Sequence, residues 1–114
     1  MSEIIREGLA QVLPIETNEV FYNPAQVFNR DLSVFLTSLF IRERTGVLAL
    51  RRETLPSSFH VLEGLAASGL RSLRYSKELR FGSFQITAND IEEVAAERIR
   101  KNIAFNRLEG DFPI

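Results

Sequence analysis

The sequence predicts an α/β chain, built in the strand–helix–strand–helix order of a doubly wound parallel sheet but with too few strands to complete one. Three observations carry this. Val61-Leu62-Glu63 is a short apolar run that ends in an acid, and the small-residue loop Gly64-Leu65-Ala66-Ala67-Ser68-Gly69 leads from it into a helix. A second run over residues 84–88 ends in Asn89-Asp90, 21 residues after Gly69, the length of one helix plus one strand. Residues 91–105 then show the clearest helical periodicity in the chain.

Taken in order, residues 8–15 and 19–22 read as two short extended pieces around Pro14 and Asn18, and Asn23-Pro24 is a turn signal. Residues 1–28 are thus an N-terminal extended segment. A helix follows over 29–46, with Leu32, Phe35, Leu36, Leu39 and Phe40 on one face. Asn29 or Asp31 caps its start and Thr45-Gly46 ends it. Residues 46–50 are a short strand or helix tail, and 51–58 a polar loop with Pro56. The β-α-β-α unit spans 59–106: strand 59–63, helix 69–79 with Leu70, Leu73 and Tyr75 inward, strand 84–88, and helix 91–105 with Ile91, Val94, Ala95, Ile99 and Ile103 inward. Its acids Glu92, Glu93 and Glu97 sit early and Arg98, Arg100 and Lys101 late, as the helix dipole favours. The tail from Asn106 reads as a loop.

Composition sets bounds. A chain of 114 residues holds one domain at most. No apolar run approaches the roughly 18 residues of a membrane span. With no cysteine there are no disulfides or thiolate metal sites, which fits an intracellular protein. A net charge of -1 lacks the basic excess usual in nucleic-acid binders. His60, the lone histidine, has no cluster to make it a metal ligand. Arg71, Arg74, Lys77 and Arg80 recur on one helix; they either touch RNA phosphate or form a solvated face, and the solvated face is the simpler reading.

The loop and the two acids point to an adenine nucleoside. Small residues let the backbone approach a ligand, and an acid at the end of the second strand accepts hydrogen bonds from ribose hydroxyls. Asp90 also reads as the N-cap of the following helix, with Glu93 closing a capping box; its two oxygens allow both roles. Glu63 is either an exposed strand end or a group that holds the loop and meets the amino-acid part of a cofactor. A dinucleotide, as in a NAD-dependent oxidoreductase, fits less well. Glu63 stands where a pyrophosphate turn should open, and Ala66 and Ala67 carry Cβ atoms into the close approach. A negative charge there suits the sulfonium and ammonium groups of S-adenosylmethionine.

The string Val20-Phe21-Tyr22-Asn23-Pro24-Ala25-Gln26-Val27-Phe28-Asn29-Arg30-Asp31-Leu32-Ser33 resembles the N-terminal signature of the tRNA (guanine-N2)-dimethyltransferases, which methylate guanine at tRNA position 26. Residues 61–75 resemble that family's cofactor motif, 86–106 its acidic strand end and following helix, and Arg6-Glu7-Gly8-Leu9-Ala10 its opening strand. The resemblance implies the N-terminal part of a class I S-adenosylmethionine-dependent, Rossmann-like methyltransferase domain with an incomplete sheet. It implies S-adenosyl-L-methionine as cofactor, tRNA as partner, and a nuclear or mitochondrial location. By position, Asn29, Arg30 and Asp31 lie against the cofactor pocket, with Arg30 near the cofactor carboxylate or the target base. Glu63, Ala66, Ser68 and Gly69 line the methionine side, Asp90 takes the ribose, Ile91 packs beside adenine, and Phe21 faces the pocket. The plain alternative for Arg30 is a salt bridge to Asp31 or Glu63. The family's catalytic Asp-Pro-(Phe or Tyr)-Gly is not in this sequence, so no catalytic residue is assigned. Two expectations follow: the chain is an N-terminal fragment, or it is a noncatalytic isoform that acts as a binding module, since its first nucleotide strand is left with an open edge.

Overall fold

The computed structural model describes residues 3–14, 22–53, 58–79 and 84–107. The extended piece expected at 19–21 with Phe21, and also Pro56, Arg80 and residues 108–114, lie outside them; Asn106, read as the start of the C-terminal loop, is helical. Strands β1 (Ile5–Glu7) and β2 (Ala10–Val12) form an antiparallel hairpin, pairing Ile5 with Val12 and Glu7 with Ala10. The extended reading of residues 8–12 therefore needs correcting: Gly8 and Leu9 are the turn. Gly8 takes φ of +56°, a left-handed conformation that glycine reaches without steric cost.

A 3-10 turn (Pro24–Gln26) leads into α1 (Val27–Leu50). Asn23 begins this run, its Oδ1 accepting the Ala25 amide at 2.9 Å, with proline in the first turn. Asn29 and Asp31 sit inside the helix and do not cap it. Gly46 does not end it either: the helix runs through it, and a Cβ at that position would meet nothing within 4 Å. The helix stops one turn later, where Arg52 takes φ of +55°. The Glu53 amide bonds to Leu48 O and the Arg52 amide to Ala49 O, a Schellman closure with arginine in the position glycine usually fills.

Strands β3 (Phe59–Glu63) and β4 (Phe84–Ala88) are parallel, pairing Phe59 with Phe84 and Glu63 with Ala88. Helix α2 (Leu70–Glu78) connects them, and α3 (Glu93–Arg107) follows β4. This is the expected β-α-β-α order. Among the described residues β3 pairs with β4 alone, and His60, Leu62, Gln85 and Thr87 on the outer sheet face are exposed.

Helix α2 is the centre of the packing. Leu70 and Leu73 bury against Ala10 and Val12 of the hairpin, joined by Ile5, Tyr22 and Ile103. Tyr75 and Leu79 bury against Val34 and Ile41 of α1 and Ile86 of β4, with Phe59, Val61 and Phe84 alongside. The apolar face read in α1 exists but points the other way. Phe28, Phe35 and Phe40 are 74%, 62% and 63% exposed, and Leu32, Leu36 and Leu39 are exposed too. The helix buries Arg30, Val34, Ile41 and Leu48 instead.

For Arg74 both the solvated-face and the RNA-phosphate readings fail. It is buried between the hairpin and α1, where it donates to Glu7 at 3.1 Å, to Glu78 at 2.8 and 3.0 Å, and to Asp31. Arg30 grips the same Glu7 carboxylate through two bonds of 2.8 Å. Hydrogen bonds to Glu78 and Asp31 push the Arg74 pKa up, and the bond to Glu7 does so for Arg30, so both remain cationic. The Gly8 turn closes over this cluster: a Cβ there would overlap Glu78 Oε2 and lie 2.8 Å from Arg74 Nε. Two outcomes follow for denaturant titrations. Glu7→Gln takes from buried Arg30 the carboxylate it pairs with, and from Arg74 one of its three, and is expected to cost about 3–5 kcal/mol. Gly8→Ala, strained in φ and in space, is expected to cost about 1–3 kcal/mol. Midpoints at the wild-type value would show that the cluster does not hold the hairpin.

Candidate functional site

The loop after β3 is fixed from both sides. The Asn89 amide bonds to Glu63 O and the Ala66 amide to Asn89 O, each at 2.9 Å, extending the strand ladder past the strands. The Ala67 amide donates to Asp90 Oδ2 at 2.9 Å, and the Glu92 amide to Asp90 Oδ1 at 3.0 Å. Asp90 thus caps the approach to α3 and ties the loop to the second strand end. Each oxygen keeps a further lone pair for another donor. The helix starts at Glu93, two residues after the expected start. The loop itself turns through two left-handed residues, Ala67 at φ +51° and Gly69 at +82°. Leu70 is capped by Ser68 Oγ at 3.3 Å.

Beside the loop lies a cleft of about 180 Å³. Arg30, Glu63, Ala66 and Ser68, all expected there, line it, together with Tyr22, Asn23, Gln26 and Arg71, which the sequence reading did not place in it. Gly69, Asp90 and Ile91 stand outside its wall. Asp90 adjoins it through Ala67, and Ile91 is 90% exposed rather than packed on the inner face of α3. Asn29 and Asp31 are set apart: Asn29 Oδ1 accepts from Arg71 at 3.1 Å, and Asp31 pairs with Arg74.

The cleft is polarised. Arg30 lies with its guanidinium carbon 5.1 Å from the centre of the Tyr22 ring and donates to Asn23 O at 3.1 Å. Its salt bridge runs to Glu7, not to Asp31 or Glu63. Glu63 is not an exposed strand end. Its carboxylate accepts from Ser72 Oγ at 2.7 Å and faces Arg71 Nε at 3.3 Å. Burial pushes its pKa up, and the bond from Ser72 and the charge of Arg71 pull it partly back. Two guanidiniums, Arg30 and Arg71, and one acid, Glu63, therefore face one small cavity, which offers partners to both ends of a zwitterion.

Asparagines 102 and 106, missed in the sequence, hold the hairpin to α3, and Asn102 connects it to this site. Asn102 Oδ1 accepts the Leu13 amide at 2.9 Å while its Nδ2 donates to Ser68 O at 2.8 Å. Asn106 accepts the Gln11 amide at 3.0 Å and donates to Gln11 O at 2.6 Å. Both are buried. Their signal was legible: they continue the stripe of Ala95 and Ile99 at helical spacing. Among the described residues no group of acids or histidine is arranged to hold a metal.

The family described as N2,N2-dimethylguanosine tRNA methyltransferase matches residues 2–113. The chain is 32% identical to the tRNA (guanine(26)-N(2))-dimethyltransferase of Homo sapiens, with 90% of this chain and 22% of the relative covered. It is 33% identical to that of Drosophila melanogaster, with 93% and 23% covered, and 34% identical to that of Methanocaldococcus jannaschii, with 95% and 27% covered. The chain thus spans about a quarter of the length of these relatives. The archaeal alignment runs over 109 residues and the human one over 145, so the human relative carries inserted residues absent here. No solved structure matches. A match over nearly every residue, including both strand ends and the loop between them, places this chain in the N2,N2-dimethylguanosine tRNA methyltransferase family.

Proposed function

We propose that this chain is the cofactor-holding part of an S-adenosylmethionine-dependent tRNA (guanine-N2)-methyltransferase, built on the first two nucleotide strands of a Rossmann-like, class I methyltransferase sheet. The observation that carries the proposal is the polarised cleft beside a loop pinned by Asp90. Its volume suits an amino-acid moiety rather than a whole nucleoside cofactor. Arg30 would take the carboxylate of S-adenosylmethionine and Glu63 its ammonium. The adenosine would extend past Ala67 to the free lone pairs of Asp90 and the exposed side chain of Ile91.

When bound, the cofactor supplies an electrophilic methyl group, and transfer to the guanine N2 depends chiefly on positioning. This chain's residues contribute to one side of that task, holding the donor. The Asp-Pro-(Phe or Tyr)-Gly string that the resemblance assigns to the guanine is absent from the sequence. The tRNA contact is likewise not assigned to any residue here, in keeping with a net charge of -1. A NAD-dependent reading is disfavoured by the acid at the strand end, which would repel a pyrophosphate. A second reading, a noncatalytic binding module, is favoured by one observation. Phe28, Leu32, Phe35, Leu36 and Phe40 leave an exposed apolar stripe along α1 of the kind that marks protein contact.

Calorimetry tests the cofactor reading. The chain is expected to bind S-adenosylhomocysteine and not NADH. Asp90→Asn, which keeps one acceptor oxygen, is expected to weaken binding about tenfold or more, through loss of the charge-assisted ribose contact together with one of the two amide bonds Asp90 now accepts. Binding of NADH alone would reverse the assignment.

Glu63 gives a pH signature. Its raised pKa means the folded chain holds the proton more tightly than the unfolded chain. That contribution to stability is complete below the ordinary carboxylate pKa and is lost as pH rises through the raised one. As pH rises from the ordinary carboxylate pKa through the raised one, wild type is expected to lose stability relative to Glu63→Gln, in which this ionisation is absent. Parallel urea midpoints for the two proteins would contradict it.

A further inference from the structure

We infer that Asn102 is a positioning residue for the cofactor loop, setting the Ser68 carbonyl and with it the left-handed path from Ala67 to Gly69; this rests on the cofactor reading above. Asn102 has 0% exposure and contacts no face of the cleft itself. It acts through Ser68, which does line the cleft. Helix α3 meets the loop at two points one turn apart. Ile99 closes on Gly69, where an added Cβ would sit 3.4 Å from both Ile99 Cγ1 and Cγ2. Asn102 Nδ2 bonds Ser68 O at 2.8 Å. The loop is therefore clamped between Asp90, which holds the Ala67 amide, and α3, which holds the next residue's carbonyl.

The other half of the Asn102 amide makes the arrangement specific. Its Oδ1 accepts the Leu13 amide at the end of β2, so one side chain spans hairpin and loop. An amide is needed because one partner donates and the other accepts. Asn106, four residues on, bonds Gln11 of β2 and Asn102 O in its own helix, and among the described residues none of its bonds goes to the loop. The two asparagines are matched in burial and in service to β2, and differ in the contact with Ser68.

Asn102→Asp separates the roles. It keeps an acceptor for Leu13 and turns a second acceptor toward the Ser68 carbonyl. Asn106→Ala removes support for β2 and leaves the loop contact in place. S-adenosylhomocysteine binding is measured by calorimetry at a temperature where circular dichroism shows each protein fully folded. Asn102→Asp is expected to lower affinity about tenfold or more, and Asn106→Ala to stay within about twofold of wild type even though its melting temperature drops. Equal losses in both would mean affinity merely follows stability, and an unchanged Asn102→Asp would mean the loop does not depend on this bond; either overturns the inference. Amide nitrogen–proton spectra without ligand give a second readout. The Ala67 and Gly69 signals are expected to move in Asn102→Asp and hold still in Asn106→Ala. If wild type ignores S-adenosylhomocysteine while those signals behave as expected, the cofactor reading fails and the loop clamp stands. If they hold still in both variants, the clamp itself fails.

Discussion

The Glu7 carboxylate, shared by Arg30 and Arg74, is the contact on which the rest of the arrangement depends. Helix α2 lies between the hairpin and α1, and its Arg74 at the crossing point is buried. Burying a charge is costly unless it is paired. Arg74 meets that condition by drawing one acid from each neighbour: Glu7 from the hairpin, Asp31 from α1, and Glu78 from its own helix. Apolar residues of the same size could fill this volume equally well. What the charges add is registry. The hairpin can sit on α2 in only one position that puts Glu7 between both guanidiniums, and that position brings the Gly8 turn onto Glu78 and Val12 onto Leu73.

Element order was legible in the sequence because the strands and helices of the β-α-β-α unit carry their own punctuation: acids and small residues at the strand ends, and helical spacing between. Contacts distant in sequence were not legible. Glu7 and Arg74 stand 67 positions apart, and no local pattern marks an arginine next to Leu73 as buried. The same limit explains α1. Spacing identifies which side chains share a face, and Leu32, Phe35, Leu36, Leu39 and Phe40 do share one. It does not identify which face meets the neighbours, and here Val34 and Ile41 meet them. The helix end misled for a different reason. Gly46 is permissive, but a helix ends where its last carbonyls find other donors, and those donors are the Arg52 and Glu53 amides.

For the site, residue types were legible and their partners were not. Asp90 was open to an N-cap role and a ligand role; the helix starts at Glu93, so Asp90 makes the turn before it through the Glu92 amide rather than capping it with Glu93, and each oxygen, accepting one amide, leaves room for a ligand. Glu63 was open to solvent or cleft, and it lies in the cleft because Ser72 and Arg71, from the first turn of α2, turn toward it. The loop they frame is held through Ala66, Ala67, Ser68 and Leu70 before any ligand arrives. A site prepared in this way spends less of its binding energy on ordering.

Arg30 joins the buried charge cluster to the cleft. One edge of its guanidinium belongs to the Glu7 network that seats the hairpin, and the residue also lines the cleft. Any anion that engages it there gains a partner already fixed in place. The converse follows from linkage: a ligand that binds only the folded chain stabilises the fold by mass action. Because Arg30 is shared, that stabilisation reaches the hairpin as well as the loop. Asn102 makes the same connection from the opposite side, through Leu13 and Ser68. The hairpin is therefore part of the cleft's support even though none of its residues lines the wall, and the N-terminal segment and the loop after β3 act as a single structure.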